Sequence, residues 1–111
     1  MDPLNRLRDV IEKVLLRHVH ASNGNGEIET QTVFDRCHDH YMLVNIGWTP
    51  RARVHGTLAH IDLIGEKIWV QADGTQAGLA TELLEEGIPA TQIVLGFRLP
   101  SIRPHTGFAL A

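Results

Sequence analysis

The sequence predicts an α+β fold, with an N-terminal helix, a four-stranded antiparallel β-meander, a second helix and a C-terminal strand. Three observations predict it. Apolar residues recur at helical spacing near the N-terminus. Four β-type segments then follow one another with short connections, and a helix-stop signal precedes a last apolar segment. We expect both helices to cover one face of one sheet, within a single domain spanning residues 1–111.

The first helix is predicted from about residue 3 to 21. Asp2 is placed to cap it, Pro3 suits the first helical position, and the loop-type segment 21–26 ends it. Its apolar stripe consists of Leu4, Leu7, Ile11, Val14, Leu15 and His18.

The four strands are predicted at 27–35, 40–48, 53–64 and 67–72. Their connections are too short for crossovers, so neighbouring strands should be antiparallel. The 40–48 strand is apolar on both faces, as expected of a central strand. Gly65 fits the first turn position of a two-residue hairpin.

The second helix is predicted at about 75–86. Asp73 to Gln76 match the capping-box pattern, and Gly87 to Pro89 form a stop signal. Residues 92–97 then form a late strand, or an extended segment lying along the sheet.

Composition excludes some classes of protein. The net charge of −3 argues against binding nucleic acid mainly by phosphate neutralisation, although a local basic patch is compatible with it. The single cysteine permits no internal disulfide, so we expect a reducing, cytoplasmic location. The first residues are too polar for a signal peptide, and we expect no membrane association.

The most ligand-rich stretch is residues 36–41, which contain Cys37, His38, Asp39 and His40. A structural zinc site usually takes four ligands in two separated pairs, and no second pair is evident. Asp39 is a common turn residue that can cap local amides. We interpret the stretch as a turn between two strands, with metal binding as the less favoured alternative.

His60 and Asp62 form a second candidate site. Residues i and i+2 of a strand point to the same face, so these side chains should lie together. Such a pair could act as an acid and a base in an enzyme. A hydrogen-bonded structural pair is the favoured interpretation, because buried polar pairs outnumber catalytic ones.

Basic residues suggest a contact surface. They are Arg51, Arg53, Arg98, Arg103 and His105. Together they could build a local basic patch for DNA or for an acidic partner, whereas a solvated tail is the alternative.

Trp48 and Trp69 suggest a second kind of surface. Trp69 alternates with Ile68 and Val70, so the sheet should carry apolar residues on both faces, with helices enough to cover one. The spare apolar surface predicts a homodimer or a partner protein.

The chain contains seven distinctive motifs in this order: DHYMLVNIGW, His-Ile-Asp, Ile-Trp-Val-Gln, Asp-Gly-Thr, Gly-Ile-Pro, Ile-Val-Leu-Gly-Phe and Thr-Gly-Phe-Ala. Together these motifs resemble the XisI family, which is named for the fdxN element excision controlling factor of cyanobacteria. The similarity covers nearly the whole chain. It implies a small dimeric α+β protein linked to programmed excision of a DNA element during heterocyst development. It also implies action beside a site-specific recombinase and a companion protein, XisH.

These observations lead to a functional prediction. We expect a non-enzymatic accessory protein that acts through protein contacts with a recombinase or an XisH-like partner, without a cofactor or metal. The alternatives are a weak DNA-binding modulator that uses the basic residues, and a small enzyme that uses His60 and Asp62.

Overall fold

The computed structural model describes residues 3–19 and 28–111, and it confirms an α+β fold. The predicted late strand joins the meander, so the sheet has five strands in the order β1-β2-β3-β4-β5. The helices are α1 (Pro3–Leu16) and α2 (Leu79–Glu85). The strands are β1 (Glu29–Asp35), β2 (His40–Trp48), β3 (Arg53–Ile64), β4 (Lys67–Asp73) and β5 (Ile93–Leu95).

Helix α1 buries the predicted apolar stripe. Ile11, Val14 and Leu15 are fully buried and Leu7 is nearly so. The helix ends at Leu16, earlier than the predicted residue 21, and its last turn closes with tighter bonds such as His18 N–H to the Leu15 carbonyl (3.0 Å). The predicted cap Asp2 and the loop 21–26 lie outside the described residues, as does the predicted first residue of β1, residue 27.

The meander forms as predicted, since β1–β2, β2–β3 and β3–β4 all pair antiparallel. Gly65 adopts a positive φ of 62° in the β3–β4 turn, which confirms the predicted hairpin. Two β-bulges interrupt the ladders. Leu58 is an extra residue of β3 opposite β2, and Gln71 is an extra residue of β4 opposite β3.

The helices cover one face of the sheet. Tyr41, Leu43, Ile61 and Val70 are fully buried on that side. The helix residues buried with them are Leu7, Ile11, Val14 and Leu15 of α1 and Leu79 and Leu83 of α2. We call the other side the open face. Strand alternation and pairing place the following side chains on it: Glu29, Val33, His40, Met42, Val44, Ile46, Trp48, Arg53, His55, His60, Asp62 and Trp69.

Helix α2 begins at Leu79 and not at residue 75, so the predicted capping box is wrong. Asp73 is the last residue of β4, and its carboxylate accepts hydrogen bonds from the amides of Thr75 (2.9 Å) and Leu79 (2.8 Å). These bonds hold residues 74–78 in a turn, and Gly78 has a φ of 87°, which is not helical. Asp73 therefore still satisfies the start of the helix, but from a position outside it.

Strand β5 is shorter than the predicted 92–97 and pairs parallel to β4. The C-terminal segment then returns to the sheet, where the Ala109 amide donates to the Ile93 carbonyl (2.9 Å) and Ala109 bridges Val94. No helix in the described part of the chain is long and apolar enough to cross a bilayer.

Candidate functional site

Residues 36–39 form the turn between β1 and β2, as predicted. Asp35 holds this turn: its carboxylate accepts the amides of Cys37 (2.9 Å) and His38 (3.1 Å) and contacts His38 Nδ1 (2.8 Å). Cys37 is exposed. The capping role expected of Asp39 therefore belongs to Asp35.

Asp39 instead ties the turn to α1. Arg8 Nε donates to Asp39 Oδ1 (2.8 Å), Arg8 Nη2 donates to Oδ2 (3.2 Å), and the buried Tyr41 hydroxyl donates to Oδ1 (2.8 Å). The hydrogen bonds from Arg8 hold the pKa of Asp39 below its usual value, although partial burial acts in the opposite direction. Asp39 adopts a φ of 59°, a conformation that aspartate and asparagine tolerate better than most residues.

His60 and Asp62 lie together on the open face, as alternation predicts. His60 Nε2 is 2.7 Å from Asp62 Oδ1. A third residue joins them from the neighbouring strand, because His40 lies opposite Asp62 and its Nδ1 is also 2.7 Å from Oδ1. Gln71, the bulge residue of β4, donates to the other carboxylate oxygen of Asp62 (3.2 Å). We call His40, His60 and Asp62 the histidine–aspartate cluster.

The electrostatics of the cluster favour the ionised carboxylate. Burial raises the pKa of Asp62, but the hydrogen bonds to His40, His60 and Gln71 outweigh it and bring the pKa below its usual value. The hydrogen bond to Asp62 raises the pKa of His40. The side chains are 14% (Asp62), 29% (His60) and 57% (His40) exposed, so the cluster reaches solvent and burial does not remove the enzyme hypothesis.

The cluster could also hold a cation. One ligand atom from each of His40, His60 and Asp62 lies within 4.8 Å of the other two. Imidazole and carboxylate groups suit divalent transition metals. Sequence reasoning placed His40 in the turn and missed both it and Gln71 as neighbours of Asp62. The signal that could have found them is strand register, which depends on the two bulges.

The predicted basic residues fall into two groups. Arg53 lies opposite Trp48 at one end of the sheet, with its guanidinium 5.5 Å from the indole centroid, and Arg51 is in the adjacent loop. Arg103 lies over Trp69, 5.2 Å from its centroid, near the end of β3 that carries Asp62. At about 3.3 Å per residue, the nine residues from Arg53 to Asp62 separate the groups by roughly 25–30 Å.

The C-terminal tail is structured around Arg103. Its Nε donates to the Arg98 carbonyl (3.2 Å) and its Nη1 donates to the Leu110 carbonyl (3.3 Å). Arg98 itself stacks at 5.1 Å on Phe97, and His105 is exposed in a short 3₁₀ turn. The tail therefore covers part of Trp69, whereas Trp48 stays 57% exposed.

Comparison with known proteins gives the family. A sequence model of the family described as XisI protein matches residues 1–110. The chain belongs to the XisI family. No curated protein matches it.

Two solved structures extend the XisI assignment to the fold. A XisI-like protein from Anabaena variabilis ATCC 29413 is 30% identical, with a TM-score of 0.88, over 97% of this chain and 99% of its own. The fdxN element excision controlling factor XisI from the same organism is also 30% identical, with a TM-score of 0.83, over 99% of this chain and 100% of its own. The α+β architecture described above is therefore that of XisI proteins.

Proposed function

We propose that this XisI-family chain is a non-enzymatic controlling factor for site-specific excision of a DNA element, which acts through protein contacts. Its 30% identity over full length to a protein described as an excision controlling factor supports the role. The expected partners are a recombinase or an XisH-like protein. The active form is a homodimer joined through the open face.

The apolar composition of the open face is the observation that supports the proposed homodimer. Val33 (51% exposed) and Trp48 (57% exposed) flank a line of partly buried apolar side chains along β2. Those side chains are Met42, Val44 and Ile46. Contiguous exposed apolar surface of this kind is typical of protein interfaces.

Charge placement favours a second copy of the chain as the occupant. Glu29 of β1 pairs with Ile46, which pairs on its other side with His55 of β3, and Arg53 lies two pairs further along, opposite Trp48. Acidic and basic side chains thus flank the apolar line on opposite sides. A twofold axis parallel to β2 between two facing sheets would set the acidic side of one copy over the basic side of the other.

Light scattering during size exclusion tests the dimer. We expect about 25 kDa, twice the 12.4 kDa of the chain. Val44→Glu should give a monomer, because it buries a charge in the contact. The matched control Leu16→Glu changes an apolar residue that is 54% exposed on α1 and should leave the dimer intact. A wild-type monomer would contradict the proposal.

A charge exchange tests the orientation of the two copies. Arg53→Glu should weaken the dimer, since it places like charges together, and the double variant Glu29→Arg with Arg53→Glu should restore it. If the double variant does not dimerise, the proposed twofold arrangement of the two copies is wrong, even if the wild type is a dimer.

The controlling role needs a test in a host that carries an excisable element. Deletion of the gene should abolish or reduce the rejoined DNA junction, measured by quantitative PCR, and the wild-type gene should restore it. Co-expression with an XisH-like protein should yield a complex of the two. Excision that proceeds equally without the gene would contradict the role.

DNA binding is the second candidate, and the exposed Arg51 and Arg53 beside Trp48 are the feature that favours it. Titration of a labelled duplex at low salt tests it. A shift that Arg51→Ala and Arg53→Ala weaken would support direct DNA contact, whereas no shift at high protein concentration would leave protein contacts as the mechanism.

A further inference from the structure

The strongest unexplained feature is the histidine–aspartate cluster, because its three side chains converge on one point. Two imidazole nitrogens, from His40 on β2 and His60 on β3, each lie 2.7 Å from the same oxygen of Asp62. The rings are inclined at 68° with centroids 6.4 Å apart, so they meet at the carboxylate and do not stack. Two imidazoles and one carboxylate form a common ligand set for transition metals.

From this convergence we propose that His40, His60 and Asp62 bind one divalent transition-metal ion, with Zn²⁺ the best match. Four-coordinate zinc has bonds of about 2.1 Å, which places its ligand atoms about 3.4 Å apart. The two histidine–aspartate separations need to widen by less than about 1 Å to reach this spacing. Each imidazole then coordinates through the nitrogen that now contacts Asp62, with any proton there moved to the other nitrogen or released.

The surroundings fit a site that holds its ligands in place. The amide of Gln71 donates to Asp62 Oδ2 (3.2 Å), which fixes the carboxylate and leaves Oδ1 for the ion. His40 and Asp62 lie on adjacent paired strands and His60 is two residues from Asp62, so the sheet backbone sets all three positions. His40 is 57% exposed, which leaves solvent access for the remaining coordination positions.

The ligand set also predicts which metal ions the site does not bind. Mg²⁺ and Ca²⁺ prefer oxygen ligands and gain little from imidazole, so neither should compete at this site. All three ligands come from one chain. The site therefore takes no ligand from a second copy of the chain, and it does not depend on the controlling role.

Titration of the tag-free protein with Co²⁺ tests the site, since bound Co²⁺ gives visible d–d bands that report nitrogen and oxygen ligands. We expect one equivalent per chain, displaced by Zn²⁺ and not by excess Mg²⁺. His40→Gln and Asp62→Asn should weaken binding by at least ten- to hundredfold, and Gln71→Ala should weaken it less. Zn²⁺ should also raise the Tm of the wild type and not that of His40→Gln.

The chain has seven histidines, so binding by scattered surface groups needs a control. His55 is an exposed histidine on the same open face but outside the cluster, and His55→Gln should bind Co²⁺ like the wild type. Absence of d–d bands in the wild type would overturn the proposal. Equal loss of affinity in His55→Gln and His40→Gln would overturn it as well. His40 is exposed, so its variant stays informative if Asp62→Asn fails to fold.

Discussion

Replacement of Asp39 by asparagine should destabilise the fold, because it weakens the link between the β1–β2 turn and Arg8 of α1. Asp39 accepts two hydrogen bonds from Arg8 and one from the fully buried Tyr41 hydroxyl. Asparagine keeps the side-chain shape and tolerates the φ of 59°, so backbone strain does not enter the comparison. Asparagine lacks the negative charge and one acceptor oxygen. Its amide nitrogen, which cannot accept a hydrogen bond, replaces one carboxylate oxygen and faces a donor group.

The magnitude follows from the bond that is lost. A hydrogen bond to a charged group contributes about 1.5–3 kcal/mol. An asparagine oxygen in the Oδ1 position can still accept the bonds from Arg8 Nε and the Tyr41 hydroxyl, so the bond from Arg8 Nη2 to Oδ2 is the one that is lost. Arg8 keeps a bond to Asn5 (2.9 Å), which limits the loss. We expect the free energy of unfolding to fall by about 2 kcal/mol, and the Tm of a chain of this length by roughly 8 °C.

The pH dependence provides a second signature of Asp39. Its folded-state pKa is lowered, so its contribution is present above the unfolded-state pKa of about 4 and is lost as the pH falls through the folded-state value. Urea unfolding of both proteins should therefore show a constant difference near neutral pH that narrows below about pH 4.

The matched control is Asp35→Asn, which changes a carboxylate in the same turn that is 44% exposed. It should destabilise the fold less than Asp39→Asn does, because exposed ion pairs contribute little. An Asp39→Asn variant as stable as the wild type at pH 7 would refute the reasoning. So would a difference between the two proteins that does not change with pH.

Two further substitutions, each with a matched control, test the packing of the sheet and its helices. Ile11→Ala removes a fully buried side chain and should cost about 2–5 kcal/mol by thermal or urea unfolding, whereas Leu16→Ala, at a residue 54% exposed, should stay within about 0.5 kcal/mol. Similar losses for both would show that α1 is not seated as described. Gly74→Ala would place its Cβ 2.9 Å from the Leu58 carbonyl oxygen and should cost about 1–3 kcal/mol, since backbone must move. Gly56→Ala meets nothing within 4 Å and should be neutral or stabilising, and the opposite order of stability would contradict the described contact.

Periodicity and connection length were sufficient to predict α1 and the meander. A helical stripe buries its apolar residues wherever a sheet is available, and short links leave antiparallel pairing as the single option. The predicted start of α2 was wrong because Asp73 lies outside the helix. It is the last residue of β4, and from there its carboxylate accepts hydrogen bonds from the amides of Thr75 and Leu79. A capping box seen in sequence does not reveal which amide the carboxylate reaches in space.

The cluster was half predicted, and the bulge at Leu58 explains the other half. Counting back from the Trp48–Arg53 pair without a bulge sets His40 opposite Ile61, which is a core residue. The extra residue shifts the register by one, so that His40 meets Asp62 on the open face. The leucine at position 58 does not indicate a bulge in the sequence, because leucine is common in regular strands.

The return of the C-terminal segment has a consequence for the edges of the sheet. Ala109 occupies the Ile93 carbonyl and bridges Val94 beside β5, the last strand on that side. At the opposite edge, within the described residues, β1 pairs on one side only, with β2. A polypeptide that adds to this sheet as a strand therefore finds its open template along β1, between the acidic Glu29 and Asp35.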